Sequence, residues 1–308
     1  MAKISGVAAA LVCALGLGSA GCIKQIILDG QIEGTRKASA AIDFYSDYEA
    51  AQIAGFSGAA QFEGMHYLAP SNEDALFMLA KTWTSITFAF IEDQMEQAED
   101  TDGEGSPLYL YHRARAVAGY DRAIYYGSML LEKKNPGFVA AQKNDATMTA
   151  WLSHFESAQD AETLFWTGYA WIGRINVLKD EPAQVADLFI GVAMVERVKQ
   201  LRPDYLYGSV QTILGAYHGR SPMAELDEAK KELDAAIAQT HGNALLPRFQ
   251  LAAKYYCTKG DKANYVKTLT EVVDAGDTLK EQRLTNAIAK RRAKRYLGKD
   301  RMMRMCGF

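Results

Sequence analysis

The 308-residue sequence holds seven prolines, and no run of alternating β-branched residues stands out in it. A proline inside a helix removes a hydrogen bond and clashes with the preceding turn, so its scarcity leaves long segments free to stay helical. The missing alternation removes the period-two signature of half-buried strands. Neither charge dominates: 34 Lys and Arg face 37 Asp and Glu, for a formal charge of −3 and a pI near 6.0. That balance gives no general attraction to nucleic acid or anionic lipid. Beyond the N-terminal segment, no stretch offers the roughly 18 uninterrupted apolar residues a membrane-spanning helix needs. Patterns of the HExxH, GxSxG, GxxxxGKS/T and CxxC kinds are missing, which removes the usual grounds for a zinc protease, serine hydrolase, P-loop or dithiol centre. No two of His66, His112, His154, His218 and His241 stand three or four apart, so no helical metal pair is expected. The reading is of a non-enzyme with no metal and no cofactor.

What is present begins with MAKISGVAAALVCALGLGSAGC: one early cation, Lys3, a short apolar run, then small residues. That order reads as a secretory signal peptide over residues 1–21, set aside before the fold is considered. Gly18-Ser19-Ala20-Gly21-Cys22 is similar to a bacterial lipobox, with Ser19 where leucine is common. Cys22 is then the lipidated first residue of a mature chain, residues 22–308, tethered to the membrane by lipid alone. Ile23, in place of aspartate, favours the periplasmic face of the outer membrane. Of the other cysteines, Cys13 leaves with the signal, and Cys257 and Cys306 remain as an even pair in an oxidising compartment. A bond between them would tie the tail RMMRMCGF back to a helix near residues 244–258; the other reading is two unpaired thiols.

Helical periodicity recurs from residue 35 to about 297, broken at Pro70, Gly103–Pro107, Asn135–Gly137, Pro203, Ser221–Pro222, Gly242, Gly260 and Gly276. This predicts about twelve helices in antiparallel pairs. Ala229/Leu233/Ala236 and Tyr265/Leu269/Val272 are offset by 36 residues, close to the roughly 34 of a tetratricopeptide repeat. Ala116/Tyr120/Ala123 and Gly191/Val195/Val198 repeat the four-plus-three spacing. The expected fold is all-α, an irregular tetratricopeptide-like helical-hairpin solenoid in one domain over 22–308, with a concave inner surface. Residues 163–180, TLFWTGYAWIGRINVLKD, form a helix apolar almost all round, polar only at Thr167 and Arg174. Such a helix is buried on two sides: one face is expected to pack on its hairpin partner at 183–200, the other to look inward to a groove or channel.

Three charged stretches need a reading. Asp100-Thr101-Asp102-Gly103-Glu104-Gly105 opens like a calcium loop, but Tyr111 stands where a bidentate glutamate is required, so it reads as a solvated acidic turn. Lys290-Arg291-Arg292-Ala293-Lys294-Arg295 falls in the last turns of a final helix, where cations suit the macrodipole. Glu92 and Asp93 close the apolar run TWTSITFAFIED, against the macrodipole, so basic partners are expected from Arg113 and Arg115 on the next helix. Used as an acid/base pair they would have no nucleophile or metal to serve.

Taken together, FAFIED (88–93), YHRARAVAGY (111–120), FWTGYAWIGRIN (165–176), RPDYLYGSVQTILGAY (202–217) and LTNAIAKRRAKRYL (284–297) resemble the T-component (TatT) family of tripartite ATP-independent periplasmic, or TRAP, transporters. The resemblance covers most of the mature chain and is loosest over residues 23–70 and 135–160. It implies a periplasm-facing lipoprotein that forms a homotrimer, with a channel through each protomer. Such a protein binds the solute-binding P-component and assists uptake of an apolar, organic-acid ligand; no enzymatic step and no nucleic acid are involved. Trp83, Glu92, Tyr169, Trp171, Asn176 and Tyr217 are the expected channel-lining residues, although core packing alone accounts for most such aromatics. The alternative is a tetratricopeptide-type scaffold lipoprotein that holds an envelope protein or peptide in an open groove, with no small-molecule ligand.

Overall fold

Helix starts and stops follow the local chemistry of the chain. The computed structural model describes residues 24–220 and 224–308; the signal segment, Cys22 and the expected Ser221–Pro222 turn lie outside them. Helix α1 covers 24–38 and runs through a 3-10 turn, Ser39–Phe44, towards α2, Tyr48–Leu68. Helix α3, Glu73–Ile86, continues through a π turn, Thr87–Ile91, into α4, Glu92–Asp102. Then come α5, Pro107–Lys134, the short α6, Phe138–Ala141, and α7, Asp145–Leu152. Next are α8, Ala161–Val177, α9, Pro182–Val185, α10, Leu188–Leu201, α11, Ser209–His218, and α12, Leu226–Gln239. The C-terminal part holds α13, Leu246–Gln250, a second π turn, Leu251–Tyr256, and α14, Cys257–Lys259. It ends with α15, Lys262–Asp274, α16, Arg283–Tyr296, and α17, Lys299–Cys306. There is no strand among the described residues, and none of their helices is long and apolar enough to cross a membrane.

The caps explain the boundaries. The Asp47 and Asn72 side chains each accept from a backbone N–H of their helix's first turn at 2.9 Å, and Ser106 does so for α5 with Pro107 at the first helical position. Gly260 (φ +75) takes the left-handed conformation that ends α14, and Gly103 ends α4 at a positive φ (+86) that suits glycine. The breaks expected at Pro70, Gly103–Pro107, Asn135–Gly137, Pro203, Gly242, Gly260 and Gly276 all fall between helices.

The helices form an all-α, solenoid-like stack of hairpins. Helix α3 packs on α2 and α5, α5 on α8, α8 on α10, α10 on α11 and α11 on α12. Beyond these, α15 packs on α16, and α16 returns to α2 and the Ser39–Phe44 turn, so the last hairpin meets the first. The four-plus-three positions read from the sequence are all buried: Ala116/Tyr120/Ala123, Gly191/Val195/Val198, Ala229/Leu233/Ala236 and Tyr265/Leu269/Val272. Small residues set the spacing. A Cβ on Gly168 would sit 2.9 Å from the Gly191 carbonyl oxygen, and one on Gly191 would sit 2.8 Å from that of Gly168. The backbones of α8 and α10 therefore touch, which no larger residue at either position permits.

Helix α8 departs in part from expectation. It pairs with α10, but its second face lies mostly on α3 and α5. Thr167 fills the space left by Gly127, and the Tyr120 ring fills that left by Gly173. With α3 and α5 on this side and α10 on the other, α8 is enclosed more fully than a groove wall would be. The basic run at 290–295 does not close the final helix either, because α17 follows. Cys257 and Cys306 are bonded, with Cα atoms 5.0 Å apart, which ties α17 to α14.

Candidate functional site

Residues 92, 93, 96, 99 and 100 recur at helical spacing, so Glu92, Asp93, Glu96, Glu99 and Asp100 share one side of α4. Against them stand the cations of α16 and α17. Asp93 accepts from Arg291 Nε at 2.8 Å, Arg295 Nη1 at 2.6 Å, Tyr48 O–H at 3.1 Å and Gln97 at 2.8 Å. Glu96 pairs with Arg295 and accepts from Tyr296 O–H at 3.1 Å. Asp100 accepts from Arg301 at 2.6 Å and Arg304 at 2.5 Å. This overturns three expectations. The partners of Glu92 and Asp93 come from α16, about 200 residues away in sequence, whereas Arg113 bonds Asp180 and Arg115 bonds Gln94. The basic run is one side of a buried seam, and the acidic turn at 100–105 begins inside it. Helix-by-helix reasoning favours the neighbour in sequence; closure of the stack brings a distant helix closer.

Beside the seam lies a second cluster. Glu92 accepts from Tyr120 O–H at 2.6 Å and lies 3.3 Å from Arg292 Nη2. That guanidinium also donates to the Phe88 carbonyl at 2.6 Å and covers the Phe88 ring at 4.2 Å. The Phe88 and Tyr169 rings lie 5.6 Å apart. Phe88 sits on the first π turn, where the extra residue in the ring of hydrogen bonds widens the helix and turns a side chain off its regular face; such turns recur at functional sites. Lys254 sits on the second π turn, and the fields of Glu96, Glu92 and Arg292 reach it. Phe88, Tyr169 and Lys254 each keep part of their surface open, although Glu92, Tyr120 and Arg292 are buried.

The electrostatics of this interior are uneven. Burial raises the Glu92 carboxyl against the pull of Arg292 and Tyr120. Burial is also the largest influence on Glu96, but Arg292, Arg295 and Arg301 outweigh it and bring that carboxyl down to about 2. Burial raises the phenols of Tyr120 and Tyr169 and lowers the Lys254 ammonium. The depressed Glu96 value fixes a pH dependence. Its stabilisation is fully present above the unfolded value near 4.5 and disappears as pH falls towards about 2. The amount is about 3 kcal/mol at roughly 1.4 kcal/mol per unit. Glu92, being raised, works in the opposite sense and is relieved by acid. Chemical denaturation between pH 3 and pH 6 is therefore expected to show a slope that Glu96→Gln flattens; an unchanged slope in that variant would exclude Glu96 as its source.

Of the expected lining residues, the structure brings Glu92 and Tyr169 together. Trp83 donates its indole N–H to Glu63 at 2.9 Å, with Arg122 5.4 Å from its ring. Trp171 meets the edge of Phe138 at 6.1 Å, and Tyr217 carries Arg220 at 3.8 Å over its ring. Asn176 is exposed near the end of α8. Phe88, Arg292 and Lys254 were not singled out from sequence. The signal for Lys254 was a lone charge inside the apolar run LAAKYY, residues 251–256. Arg292 is one of five cations in the six-residue run 290–295.

No curated protein was found to match the chain. A family model described as the TRAP transporter T-component matches residues 50–303, a span that takes in α4, both π turns, Tyr169, Lys254 and Arg292. The chain therefore belongs to the TRAP transporter T-component family.

Proposed function

We propose that the mature chain, residues 22–308, is one domain of a periplasm-facing lipoprotein, anchored through Cys22 to the outer membrane. In this reading it works as a homotrimer, binds the solute-binding protein of a TRAP transporter, and holds an apolar organic acid on its way to that protein. Family membership supports the association with a TRAP transporter. The observation that supports the ligand is the grouping of the Phe88 and Tyr169 rings with Arg292 and Glu92. Aromatic walls with a few convergent polar groups are the usual composition of a small-molecule site. Glu92 and Tyr169 are its proposed lining residues, and Phe88 joins them.

The scaffold reading has one observation of its own. An open cleft of about 770 Å³ runs between the start of α2 and α16, bordered by Tyr48, Glu49, Lys290, Arg291 and Lys294. It would suit an acidic segment of a partner protein. Native mass spectrometry of the mature chain with Cys22→Ser separates the two readings. A trimer carrying an extra apolar mass, released on denaturation, is the result expected for transport. A bare monomer that also fails to bind the purified solute-binding protein would sink that reading in favour of the scaffold.

A further inference from the structure

Lys254 combines properties that packing alone does not reconcile. It lies on the π turn Leu251–Tyr256, flanked by buried Ala252 and Tyr255. Its stem is held close to the end of α11: a Cβ on Gly219 would sit 2.8 Å from the Lys254 Cβ. Its ammonium has no hydrogen bond and no ion pair among the described residues, while every arginine of the neighbouring seam, Arg291, Arg292, Arg295, Arg301 and Arg304, has a carboxylate partner. An ammonium on a half-buried stem with no protein partner is free to take an anionic one. Part of the Lys254 surface remains open, within reach of the fields of Glu96, Glu92 and Arg292.

Arg292 also has unused capacity there. Its Nη2 is taken by the Phe88 carbonyl and Glu92, but its Nε–H is buried without an acceptor. An unpaired ammonium and a buried guanidinium N–H without an acceptor, the latter over the Phe88 ring, suit an acceptor-rich group on an apolar body.

We propose that Lys254 is the head-group anchor of this site, taking the carboxylate of an apolar monocarboxylic acid whose body lies along Phe88 and Tyr169. The inference rests on the ligand-carrier reading above and adds to it the residue that selects an acid over a neutral molecule of the same shape. Capture is non-covalent: the ammonium donates to the carboxylate oxygens and no bond is broken. The two carboxylates nearby do not replace the ligand. Glu96 is already engaged by Arg295 and Tyr296, and Glu92 by Tyr120 and Arg292.

The test compares octanoate with 1-octanol by titration calorimetry on delipidated wild type, Lys254→Met and Lys254→Arg. Wild type is expected to prefer octanoate. Lys254→Met should weaken octanoate about tenfold to a hundredfold, the range of a charge-assisted hydrogen bond, and leave 1-octanol unchanged; Lys254→Arg should keep most of the preference. Without ligand, Lys254→Met should melt no lower than wild type, because a long apolar chain replaces an unpaired ammonium. If octanoate binds Lys254→Met as well as wild type, the anchor lies elsewhere and the proposal is wrong. Equal losses for acid and alcohol, or a marked fall in melting temperature, would make the residue structural and overturn it too. Wild type binding neither probe would overturn the carrier reading itself, and the anchor with it.

Discussion

Asp93→Ala is expected to lower the free energy of unfolding by about 3–5 kcal/mol, the range for removing one partner of a buried ion pair. Asp93 is 1% exposed and receives four hydrogen bonds, from Arg291, Arg295, Tyr48 and Gln97. Alanine removes the acceptor and leaves the donors, of which Arg295 is itself only 12% exposed at its side chain. The loss is larger than deletion of a surface pair because Arg295 cannot fully recover water without opening α4 from α16. Tyr48 belongs to the first hairpin and Arg291 to the last, so this carboxylate joins the two ends of the stack. The measurement is urea denaturation followed by circular dichroism. Asp93→Ala combined with Arg295→Met should recover part of the loss, since the stranded guanidinium goes with the carboxylate. By contrast, Lys37→Ala, which breaks the solvent-exposed pair with Glu33, should leave the curve unchanged. A loss below about 1 kcal/mol for Asp93→Ala would show that the seam tolerates an unpaired guanidinium and that other contacts hold the stack closed.

Removing the bridge between Cys257 and Cys306, as the double Cys257→Ser/Cys306→Ser variant, is expected to lower stability by about 4 kcal/mol on the chain-entropy account. The two residues are 49 positions apart, and releasing a loop of that length restores many conformations to the unfolded chain. The folded side matters as well. Helix α17 is eight residues long, too short to persist alone in water. Its other attachments are the ion pairs of Arg301 and Arg304 with α4 and the packing of Met302. Reduction should therefore loosen the tail first. Hydrogen exchange is expected to rise over 299–306 on adding dithiothreitol, with the melting temperature falling in the same sample. Equal stability of oxidised and reduced protein would mean that the ion pairs alone hold the tail.

Much of this molecule is legible in its sequence because helices are local objects. Caps at Asp47, Asn72 and Ser106, glycines at 103 and 260, and the four-plus-three spacing of small and bulky residues each depend on neighbours within one or two turns. The hairpin partner of α8 was readable for the same reason: a short connection between two helices makes them antiparallel neighbours. The family resemblance rested on such local stretches, and the family model spans them.

What the sequence did not disclose is contact between distant segments. Glu92 and Asp93 were rightly expected to need cations, yet Arg113 and Arg115 stood one helix away and Arg291, Arg292 and Arg295 about 200 residues away. A charge pattern states what a residue requires and does not say which of many arginines supplies it. The π turns at 87–91 and 251–256 left no mark that periodicity could detect, because one extra residue per turn shifts a face without interrupting the helix. Through the first of those turns Phe88 meets Arg292. The sequence by itself determined the helices, their ends and their buried faces, all set by neighbours a few residues apart. The tertiary structure alone decided the acid–base seam and the cluster beside it, because closing the hairpin stack on itself is what brings α4, α8, the second π turn and α16 to one place.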